Sequence, residues 1–558
     1  MFVQLGAAMA VLAVTTGGAA VGPQGRFDVP MPGFSPPTTV LHVGSPESAG
    51  LDPAPIAEAK TTIANSPLFP GAVSLLAHDG VTVDLTATGK AVRYADATAE
   101  LPSDQQVPMR PDTIFDVASV SKLFTSIAVL GLVEDGKVAV DERVASYLPE
   151  FGVNGKETIT VKQLLTHTSG LEPFIPLWSD WPDKPARIKA VMDRAPAAPP
   201  GSVYTYSDLN LITLGVLVER LSGEPLDVVV AKRITTPLGL TDTGYNPSAD
   251  KRGRIAATEF QTAPVRGMVR GEVHDENAWS LGGVAGHAGI FSTAKDLAVL
   301  GQTILNGGIY RGKRILREAT VREMLTNHNA AYPGNAHGLG FELDQRWYMG
   351  GLSGPRTAGH TGYTGTSLVL DPASRSIAIR LTNRVHPVRT NGSINSARET
   401  LATALARALA VRPRQGPTAW YTATGGATLL TPPLAARGEV TVRFDVFVDT
   451  DPNDGLLLEA GSGETWRAVP VRASGPGAPA GEVAALSGSG HRSWWTVNAI
   501  APVGAHVTFR WRYVTDSRYT GRGVTIDRIL VTQSGRNLLN GEKQPHLIRP
   551  LGWAAKTR

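Results

Sequence analysis

The hydrophobic pattern of this 558-residue chain changes near Pro413, and the change separates two kinds of fold. Beyond this point apolar residues recur at every second position, as over residues 440–448 and 507–513. Alternation with period two is typical of strands that bury one face, and several such strands indicate a β-sandwich. Six of the ten tryptophans also lie in this second part. We therefore predict one domain over residues 47–412 and an all-β domain over residues 413–558.

The first of these domains contains two hairpin patterns. β-rich runs at residues 72–77 and 81–85 flank Asp79-Gly80, a strong signal for a tight turn between antiparallel strands. A second hairpin pattern covers residues 367–381. Helical patterns lie on either side of the hairpins, at residues 53–64 and 394–409. The domain is therefore predicted to be α+β, with an antiparallel sheet and flanking helices.

The N-terminal residues predict export. Residues 1–22 combine a short apolar run with small residues, as in a secretion signal, although the basic n-region is lacking. The apolar run is short for a bilayer span, which disfavours a membrane anchor. Residues 23–46 contain several prolines without periodicity and are predicted as an extended linker. We expect a secreted protein without a stable membrane span after signal removal.

The composition excludes several kinds of chemistry. The chain has no cysteine, so disulfides, thiolate metal ligands and a cysteine nucleophile are excluded, and a covalent step requires serine. The net charge of +4 is mild, and lysine and arginine form no run that would favour a nucleic-acid partner. A mean hydropathy of −0.05 with 18% charged residues is typical of a soluble globular protein.

Ser119 and Lys122 stand three residues apart at the start of a predicted apolar helix. Residues i and i+3 share one helix face, so the Lys122 amine can reach the Ser119 oxygen and help to remove its proton. The same spacing occurs twice more, at Ser248/Lys251 and Ser292/Lys295. Those two sites have the patterns of a turn and of a helix N-cap. We therefore predict Ser119 as the nucleophile.

Three short segments follow one another along the chain: Ser119-Val120-Ser121-Lys122, Tyr206-Ser207-Asp208 and His360-Thr361-Gly362. Their order and spacing, over about residues 45–412, resemble the motif triplet of class C β-lactamases, penicillin-binding DD-peptidases and related esterases. The resemblance implies an antiparallel sheet with flanking helices and a helical subdomain. It also implies catalysis by Ser119, Lys122 and Tyr206, with the Tyr206 phenol facing the nucleophile. The Lys122 ammonium is expected to lower the pKa of that phenol.

The same resemblance implies a substrate-holding edge strand. It contains His360, Thr361, Gly362 and Tyr363 and is expected to lie beside the nucleophile. The backbone N–H groups of Ser119 and Tyr363 would then form an oxyanion hole, where donors stabilise the developing negative charge.

Two positions depart from the motifs of these relatives. Asp208 stands where β-lactamases usually have asparagine, and the change disfavours the usual binding of a β-lactam side-chain carbonyl. His360 stands where lysine is usual, and a mostly neutral imidazole attracts a substrate carboxylate less strongly than an ammonium. Both departures favour an esterase or a D-amino-acid peptidase over a β-lactamase. Asp208 is nonetheless predicted to contact the substrate.

Other histidines are interpreted as structural. His167 follows a helical pattern in a tight turn, where an imidazole usually satisfies backbone groups. A glycine-dense segment over residues 281–291 is expected to line the pocket. A metal site formed by His274, Asp275 and His287 is disfavoured, because no ligand spacing on a helix face supports it and a serine mechanism needs no metal. We expect no metal and no cofactor.

Two interpretations of the C-terminal domain stay open. Residues 507–527 resemble the jelly-roll module of some secreted metalloproteases, and its tryptophans would either bind glycan or wall polymer or fill the core. The acidic segment 449–454 offers oxygen ligands for calcium, but a plain acidic turn is favoured.

Together these patterns predict a secreted serine hydrolase that cleaves an amide or ester bond through a Ser119 acyl-enzyme. An esterase or D-amino-acid peptidase is the favoured type, and a β-lactamase or a DD-carboxypeptidase acting on cell-wall peptides is the alternative. The non-enzymatic alternative is a penicillin-binding sensor or a wall-adhesion protein. The partner is expected to be a small-molecule or peptide substrate, selected by loops that carry Trp178, Trp181 and Trp279.

Overall fold

The computed structural model describes residues 25–462, 465–516 and 521–557. The predicted secretion signal, residues 1–22, lies outside the described residues. The α+β prediction for the first domain and the all-β prediction for the C-terminal part are both confirmed. Within the described ranges no helix combines the length and the apolar character that a bilayer span requires.

An eight-stranded sheet forms the centre of the first domain. Its strands are β1 (His42–Val43), β2 (Gly71–His78), β3 (Val81–Val92), β4 (Val107–Pro108), β5 (Glu342–Leu343), β6 (Ala358–Gly362), β7 (Thr366–Asp371) and β8 (Ser376–Thr382). They lie in the order β1-β3-β2-β8-β7-β6-β5, and β4 pairs with β3. The β1–β3 pair is parallel and the other pairs are antiparallel. Both predicted hairpins are present, as β2–β3 and β7–β8.

Helices cover both faces of this sheet. The longer helices are α1 (Pro53–Ala64), α2 (Ser121–Glu134), α3 (Asp208–Ser222), α5 (Ala294–Leu305) and α6 (Asn395–Ala408), and the short α4 spans Glu276–Ser280. Leu75 of β2 belongs to the core that includes α5, whereas its neighbour Leu76 belongs to the core formed with α1 and α6. Because both faces are covered, every residue of β2 is buried, and its sequence is mostly apolar without alternation.

A helical subdomain surrounds α2 and α3, which pack against each other. Its core and that of the sheet form one cluster, so α2 is packed between the subdomain and the sheet. Shorter helices of the first domain are Val161–Leu165, Leu177–Asp180, Lys184–Asp193, Leu226–Val230, Thr236–Leu238, Glu318–Met324 and Arg346–Met349, with a π-helix at Ala231–Thr235. Small strand pairings join Phe115–Asp116 and Gly244–Tyr245 to Ile290–Ser292, Phe260–Thr262 to Val265–Met268, and Ile309–Tyr310 to Lys313–Arg314.

The segment predicted as a linker packs against the first domain instead of standing free. Phe27 is buried, and the Ser35 N–H donates to the Leu305 carbonyl at 2.7 Å. Further along, His42–Val43 adds a strand to the sheet beside Val81. The prolines predicted an extended linker over residues 23–46, but the described part of this segment packs as part of the fold, because Phe27 is buried in a hydrophobic cluster.

The C-terminal domain consists of two antiparallel sheets. One contains Glu482–Val483, Val471–Ser474, Trp495–Val503, Gly438–Asp449, Gly523–Gln533, Ala419–Thr422, Ala554–Lys556 and Arg536–Asn540. The other contains Thr465–Ala468, Gly455–Ser462, His506–Val514, Thr428–Leu430, Arg549–Leu551 and Leu434–Ala435.

Half of the tryptophans of this domain fill its interior. The buried ones are Trp494, Trp495, Trp511 and Trp553, while Trp420 and Trp466 are partly exposed. Phe444 packs edge-on against Trp511 with ring centres 5.5 Å apart. The core-filling interpretation therefore holds for Trp495, Trp511 and Trp553, whereas Trp494 packs in the cluster that contains Phe27 and donates to the Asp28 carboxylate.

The acidic segment 449–454 forms a turn. The Asp451 carboxylate accepts the Asn453 N–H at 3.0 Å, and the Asp454 carboxylate accepts the Asp516 N–H at 2.9 Å. These backbone contacts agree with the plain acidic turn favoured from the sequence.

Buried charges join the two domains. Arg492 of the C-terminal domain forms an ion pair with Asp371 at the end of β7, at 2.6 Å, with both side chains almost fully buried. Arg522 donates to the Ala406 and Leu409 carbonyls at the end of α6. Both guanidinium groups also lie over the Phe27 ring. The N-terminal segment is thus held at the seam between the domains.

Candidate active site

A short 3-10 turn, Ala118–Val120, presents Ser119 directly before α2. Ala118 has a φ of 46°, a conformation that non-glycine residues seldom adopt. The buried Asp116 carboxylate stabilises the turn, because it accepts the Ala118 N–H at 2.8 Å and the His274 N–H at 2.6 Å. The predicted helix therefore begins two residues after the serine, and the serine side chain is half-buried.

Lys122 lies in the first turn of α2 and reaches three groups. Its Nζ donates to Ser119 Oγ at 2.9 Å and to the His287 carbonyl at 3.2 Å. The Asp208 carboxylate lies 2.7 Å away. Burial favours the neutral amine, but the charge of Asp208, the neighbouring Tyr206 oxygen and the hydrogen bonds to both together outweigh it and raise the pKa of Lys122 above its ordinary value. Lys122 is therefore an ammonium that donates to the serine oxygen.

Asp208 forms an ion pair with Lys122 that the sequence did not predict. It is the first residue of α3, and its carboxylate faces Lys122. Its side chain is still 20% exposed, so the substrate contact of Asp208 stays a prediction. A lysine held between a serine and an aspartate keeps its proton in the resting state.

Tyr206 lies beside the serine and the lysine. Lys122 Nζ is 4.8 Å from the centre of its ring, and the phenol interacts with both Lys122 and Ser119. Burial raises the pKa of Tyr206 to about 12, although the Lys122 ammonium acts in the opposite direction. The expected lowering of this pKa is wrong, since burial and the Asp208 charge outweigh the ammonium. Tyr206 is a neutral phenol at neutral pH.

His167 positions the Tyr206 loop. Its Nδ1 accepts the Ser207 N–H at 3.0 Å and lies 3.2 Å from the Asn210 side-chain nitrogen. Its ring centre is 4.6 Å from that of Tyr206. Burial holds the pKa of His167 well below its ordinary value, so the imidazole is neutral. The structure agrees with the structural interpretation of this histidine.

Strand β6 and the turn to β7 lie against the segment that precedes the serine. Strand β6 is not the edge strand that the resemblance implied, because the two-residue β5 pairs with its start. Thr364 Oγ1 donates to the Asp116 carbonyl at 2.7 Å, and Thr366 Oγ1 donates to the Val117 carbonyl at 3.0 Å. A Cβ at Gly362 would lie only 2.3 Å from the Val117 oxygen, so this approach requires glycine. The predicted substrate strand and the serine turn are therefore adjacent.

A cavity of about 480 Å³ opens beside the serine. Its lining includes Ser119, Tyr206, His360, Thr361, Gly362 and Tyr363. Burial lowers the pKa of His360 to about 3, and its Nδ1 lies 2.7 Å from the Thr361 carbonyl. His360 therefore brings no charge to the cavity. A mostly neutral imidazole at the position of the usual lysine was predicted from the sequence.

Sequence reasoning missed three charged groups in the same lining: Glu342, Arg384 and Arg398. Burial raises the pKa of Glu342 to about 7. Arg384 donates to the Tyr363 carbonyl at 3.0 Å and to the Gly392 carbonyl at 2.8 Å. These residues come from β5, the loop after β8, and α6, and no local pattern marked them.

The histidines and the aspartate considered as metal ligands divide into two groups. His274 pairs with Glu259 at 2.9 Å, and its ring stacks on Tyr363. His287 pairs with Asp275 at 2.8 Å, and ligand atoms of this pair and of Asp208 lie within 4.8 Å of one another. The three residues considered as metal ligands, His274, Asp275 and His287, therefore belong to two separate pairs. Asp208 and Asp275 already face an ammonium and an imidazole, respectively.

An antiparallel sheet with flanking helices, and a serine hydroxyl that receives a hydrogen bond from a lysine at a helix start, define a serine hydrolase. The chain belongs to the β-lactamase family, whose model matches residues 62–402. The match ends before the C-terminal sheets begin.

Curated relatives carry several activities in their names. A putative D-alanyl-D-alanine carboxypeptidase of Escherichia coli strain K12 is 34% identical over 384 residues, covering 62% of this chain and 86% of that protein. An N-acetylmuramyl-L-alanine amidase of Bacillus subtilis strain 168 is 34% identical over 351 residues, covering 57% and 78%.

Solved structures agree with the fold. A class C β-lactamase superposes with a TM-score of 0.52 at 19% identity, covering 64% of this chain and 97% of that one. A penicillin-binding protein homologue from Caulobacter crescentus gives 0.51 at 24% identity, covering 63% and 97%. At these identities the likeness shows the fold alone.

Proposed function

We propose that this protein is an exported peptidase that acts on D-amino-acid peptides of the cell wall. It cleaves the last peptide bond and releases the C-terminal residue, which carries a free carboxylate. The contact that carries the proposal is the 2.9 Å hydrogen bond between Lys122 Nζ and Ser119 Oγ, at a cavity with an arginine in its wall. The carboxypeptidase and amidase names of the relatives support an amide substrate of this kind.

Arg384 supplies the positive charge that the usual lysine would provide. Its guanidinium lies over the Tyr363 ring, 4.7 Å from the ring centre, and it is only half-buried. The Tyr363 and Gly392 carbonyls fix its orientation. A guanidinium binds a carboxylate through paired, charge-assisted hydrogen bonds. Since His360 is neutral, Arg384 is the group that selects a free carboxylate.

The acylation step follows from the two raised pKa values. Ser119 Oγ attacks the carbonyl carbon while its proton passes to the Tyr206 oxygen and the Tyr206 proton passes to the leaving nitrogen. The C–N bond breaks, and the acyl group stays on Ser119 as an ester. Lys122 keeps its proton throughout and stabilises the developing negative charge on the oxygens around it.

Deacylation reverses this sequence with water as the nucleophile. Water attacks the acyl carbon, its proton passes to Tyr206, and the Tyr206 proton returns to Ser119 Oγ as the ester bond breaks. In both half-reactions the backbone N–H groups of Ser119 and Tyr363 hold the carbonyl oxygen as it becomes an alkoxide.

Export and wall binding belong to the same proposal. The signal-like sequence of residues 1–22 and a wall-peptide substrate both favour a secreted enzyme. Binding of a wall polymer or glycan by the C-terminal domain stays a prediction, with Trp420 and Trp466 as its partly exposed tryptophans. Sedimentation of the protein with insoluble peptidoglycan, compared with a variant in which both tryptophans are alanine, tests that prediction.

A substrate panel tests the proposed activity. The panel contains an acylated D-Ala-D-Ala peptide, the same peptide with a C-terminal amide, a p-nitrophenyl ester and nitrocefin, each with wild type and Ser119→Ala. We expect serine-dependent cleavage of the free-carboxylate peptide, with kcat/KM at least about 10-fold above that for the amide, the size of one lost charge-assisted contact. Turnover of the ester alone would identify a carboxylesterase, turnover of nitrocefin alone a β-lactamase, and no turnover a binding protein.

A further inference from the structure

The peptide unit between Gly362 and Tyr363 is held at its carbonyl end. Arg398 Nη2 donates to the Gly362 oxygen at 2.7 Å, and the Gly365 N–H donates to the same oxygen at 3.0 Å. A trans peptide is planar, so its C=O and N–H point in opposite directions. Fixing the Gly362 oxygen therefore fixes the direction of the Tyr363 N–H, the second donor of the oxyanion hole.

Arg398 is built into the domain. It is 8% exposed, and its guanidinium also donates to the Thr366 carbonyl at 3.1 Å and to the Asn395 side-chain oxygen at 2.9 Å. One side chain of α6 therefore joins the helix to both β6 and β7. Burial lowers the pKa of Arg398 to about 10, which leaves it charged at neutral pH.

A charge at the carbonyl end of a peptide also affects the opposite end. Hydrogen bonds in a chain polarise one another, so a cation bound at the Gly362 oxygen makes the Tyr363 N–H a stronger donor. A stronger donor contributes most when negative charge develops on the substrate oxygen, which happens in the transition state.

We propose that Arg398 is a positioning residue for the oxyanion hole, acting through the Gly362–Tyr363 peptide. The inference rests on the proposed acyl transfer at Ser119, though not on the identity of the substrate. Arg398 acts on every substrate alike, whereas Arg384 acts on those with a carboxylate.

The lining of the cavity gives Arg398 a competing role, direct binding of the substrate carboxylate. The two roles differ in their kinetics. A carboxylate receptor matters for carboxylate substrates only and mainly affects KM. A residue that orients an oxyanion donor lowers kcat for any ester or amide and leaves KM almost unchanged.

The test compares Arg398→Gln with wild type on a p-nitrophenyl ester that lacks a carboxylate and on a D-peptide that has one. We expect kcat to fall by about 10- to 100-fold on both, somewhat less than the loss of an oxyanion donor itself. The affinity for a boronic acid, which forms a tetrahedral adduct with the serine, should fall in parallel. Arg407→Gln, on the same helix, is the matched control and should leave kcat and the affinity for the boronic acid unchanged.

A loss confined to the D-peptide and expressed in KM, or an unchanged kcat on the ester, would overturn the proposal. Circular dichroism and the thermal midpoint show whether Arg398→Gln folds. If it does not, Arg398→Lys, which keeps the charge without the planar fork, is assayed against the same two outcomes. Failure of the proposed function is distinguishable, because Ser119→Ala would then hydrolyse the ester as fast as wild type.

Discussion

The Asp208 carboxylate lies 2.7 Å from Lys122 Nζ, and the contact keeps a proton on the lysine that touches the nucleophile. Burial alone would favour the neutral amine, but Asp208, with a further contribution from Tyr206, raises the pKa of Lys122. In the proposed mechanism the proton on Ser119 therefore leaves by way of Tyr206, while the lysine acts through its charge. The protonation state of Lys122 therefore depends on its contact with Asp208.

Replacement of Asp208 by asparagine tests this relationship. Without the carboxylate, burial lowers the pKa of Lys122, and the ammonium loses its proton at a lower pH. We expect the alkaline limb of the pH profile of kcat/KM to move down by about one to three pH units, the usual effect of one close opposite charge. In assays from pH 6 to 10 the wild type should stay on its plateau, because its Lys122 pKa lies above the ordinary value, whereas the variant should lose activity within this range.

The control for this experiment is Asp193→Asn, which removes the carboxylate from the exposed Lys189–Asp193 pair. That variant should keep the wild-type profile. An alkaline limb that stays in place in Asp208→Asn would show that Asp208 does not set the charge of Lys122.

Arg384→Gln should remove the preference for a free carboxylate. The guanidinium is half-buried over Tyr363 and faces the cavity beside Ser119. One charge-assisted contact contributes about 1.5–3 kcal/mol, so kcat/KM for the carboxylate peptide should fall by about 10- to 100-fold. For the amidated peptide and the ester, which have no carboxylate to pair with Arg384, kcat/KM should fall by less than about 3-fold, an effect no larger than that of a typical exposed ion pair. Equal losses on all three substrates would contradict carboxylate recognition by Arg384.

The main sheet and the serine–lysine contact could be predicted from the sequence because both are local. Asp79-Gly80 marks one hairpin, and residues i and i+3 of a helix necessarily meet. Tyr206 was placed by resemblance to a family, since nothing near it in the chain points to Ser119.

The remaining features depend on tertiary packing. The pKa of Tyr206 rises because the ring is buried, and the sequence gives no measure of burial at a loop residue. Arg384 and Arg398 approach the serine from separate segments with no periodic pattern. The N-terminal segment looked like a linker because its partner surface, around Phe27, forms only where the two domains meet.

The buried pair Arg492–Asp371 should carry a large share of the coupling between domains. Its atoms are 2.6 Å apart, with side chains 2% and 0% exposed. Arg492→Met leaves the Asp371 charge buried without its partner, and we expect the free energy of unfolding to fall by about 3–5 kcal/mol in urea titrations. Arg472→Met, which breaks the exposed pair with Glu482, should cost less than about 1 kcal/mol. Equal effects of the two variants would show that the seam does not depend on this pair.

His386 should make the protein less stable in acid. It is fully buried, its Nε2 accepts the Arg93 N–H at 3.0 Å, and burial lowers its pKa to about 4. In the unfolded chain a histidine has a pKa of about 6.5, so between these values the unfolded state binds a proton that the native state does not. Stability contributed by this group is therefore present above about pH 6.5 and is lost as the pH falls toward 4.

The slope for one such group is about 1.4 kcal/mol per pH unit. His386→Gln, whose amide can still accept the Arg93 N–H, should reduce the slope of unfolding free energy against pH by this amount between pH 4.5 and 6. Parallel curves for the variant and the wild type would mean that His386 binds its proton equally in both states.

Covalent labelling with a fluorophosphonate, followed by mass spectrometry of the labelled peptide, tests the central claim most directly. We predict one adduct, on Ser119, in the wild type and in Ser248→Ala, which alters an exposed serine with the same spacing to a lysine. Ser119→Ala should show no adduct. An adduct that persists in Ser119→Ala, or that is found on another residue of the wild type, would contradict the assignment of Ser119 as the nucleophile.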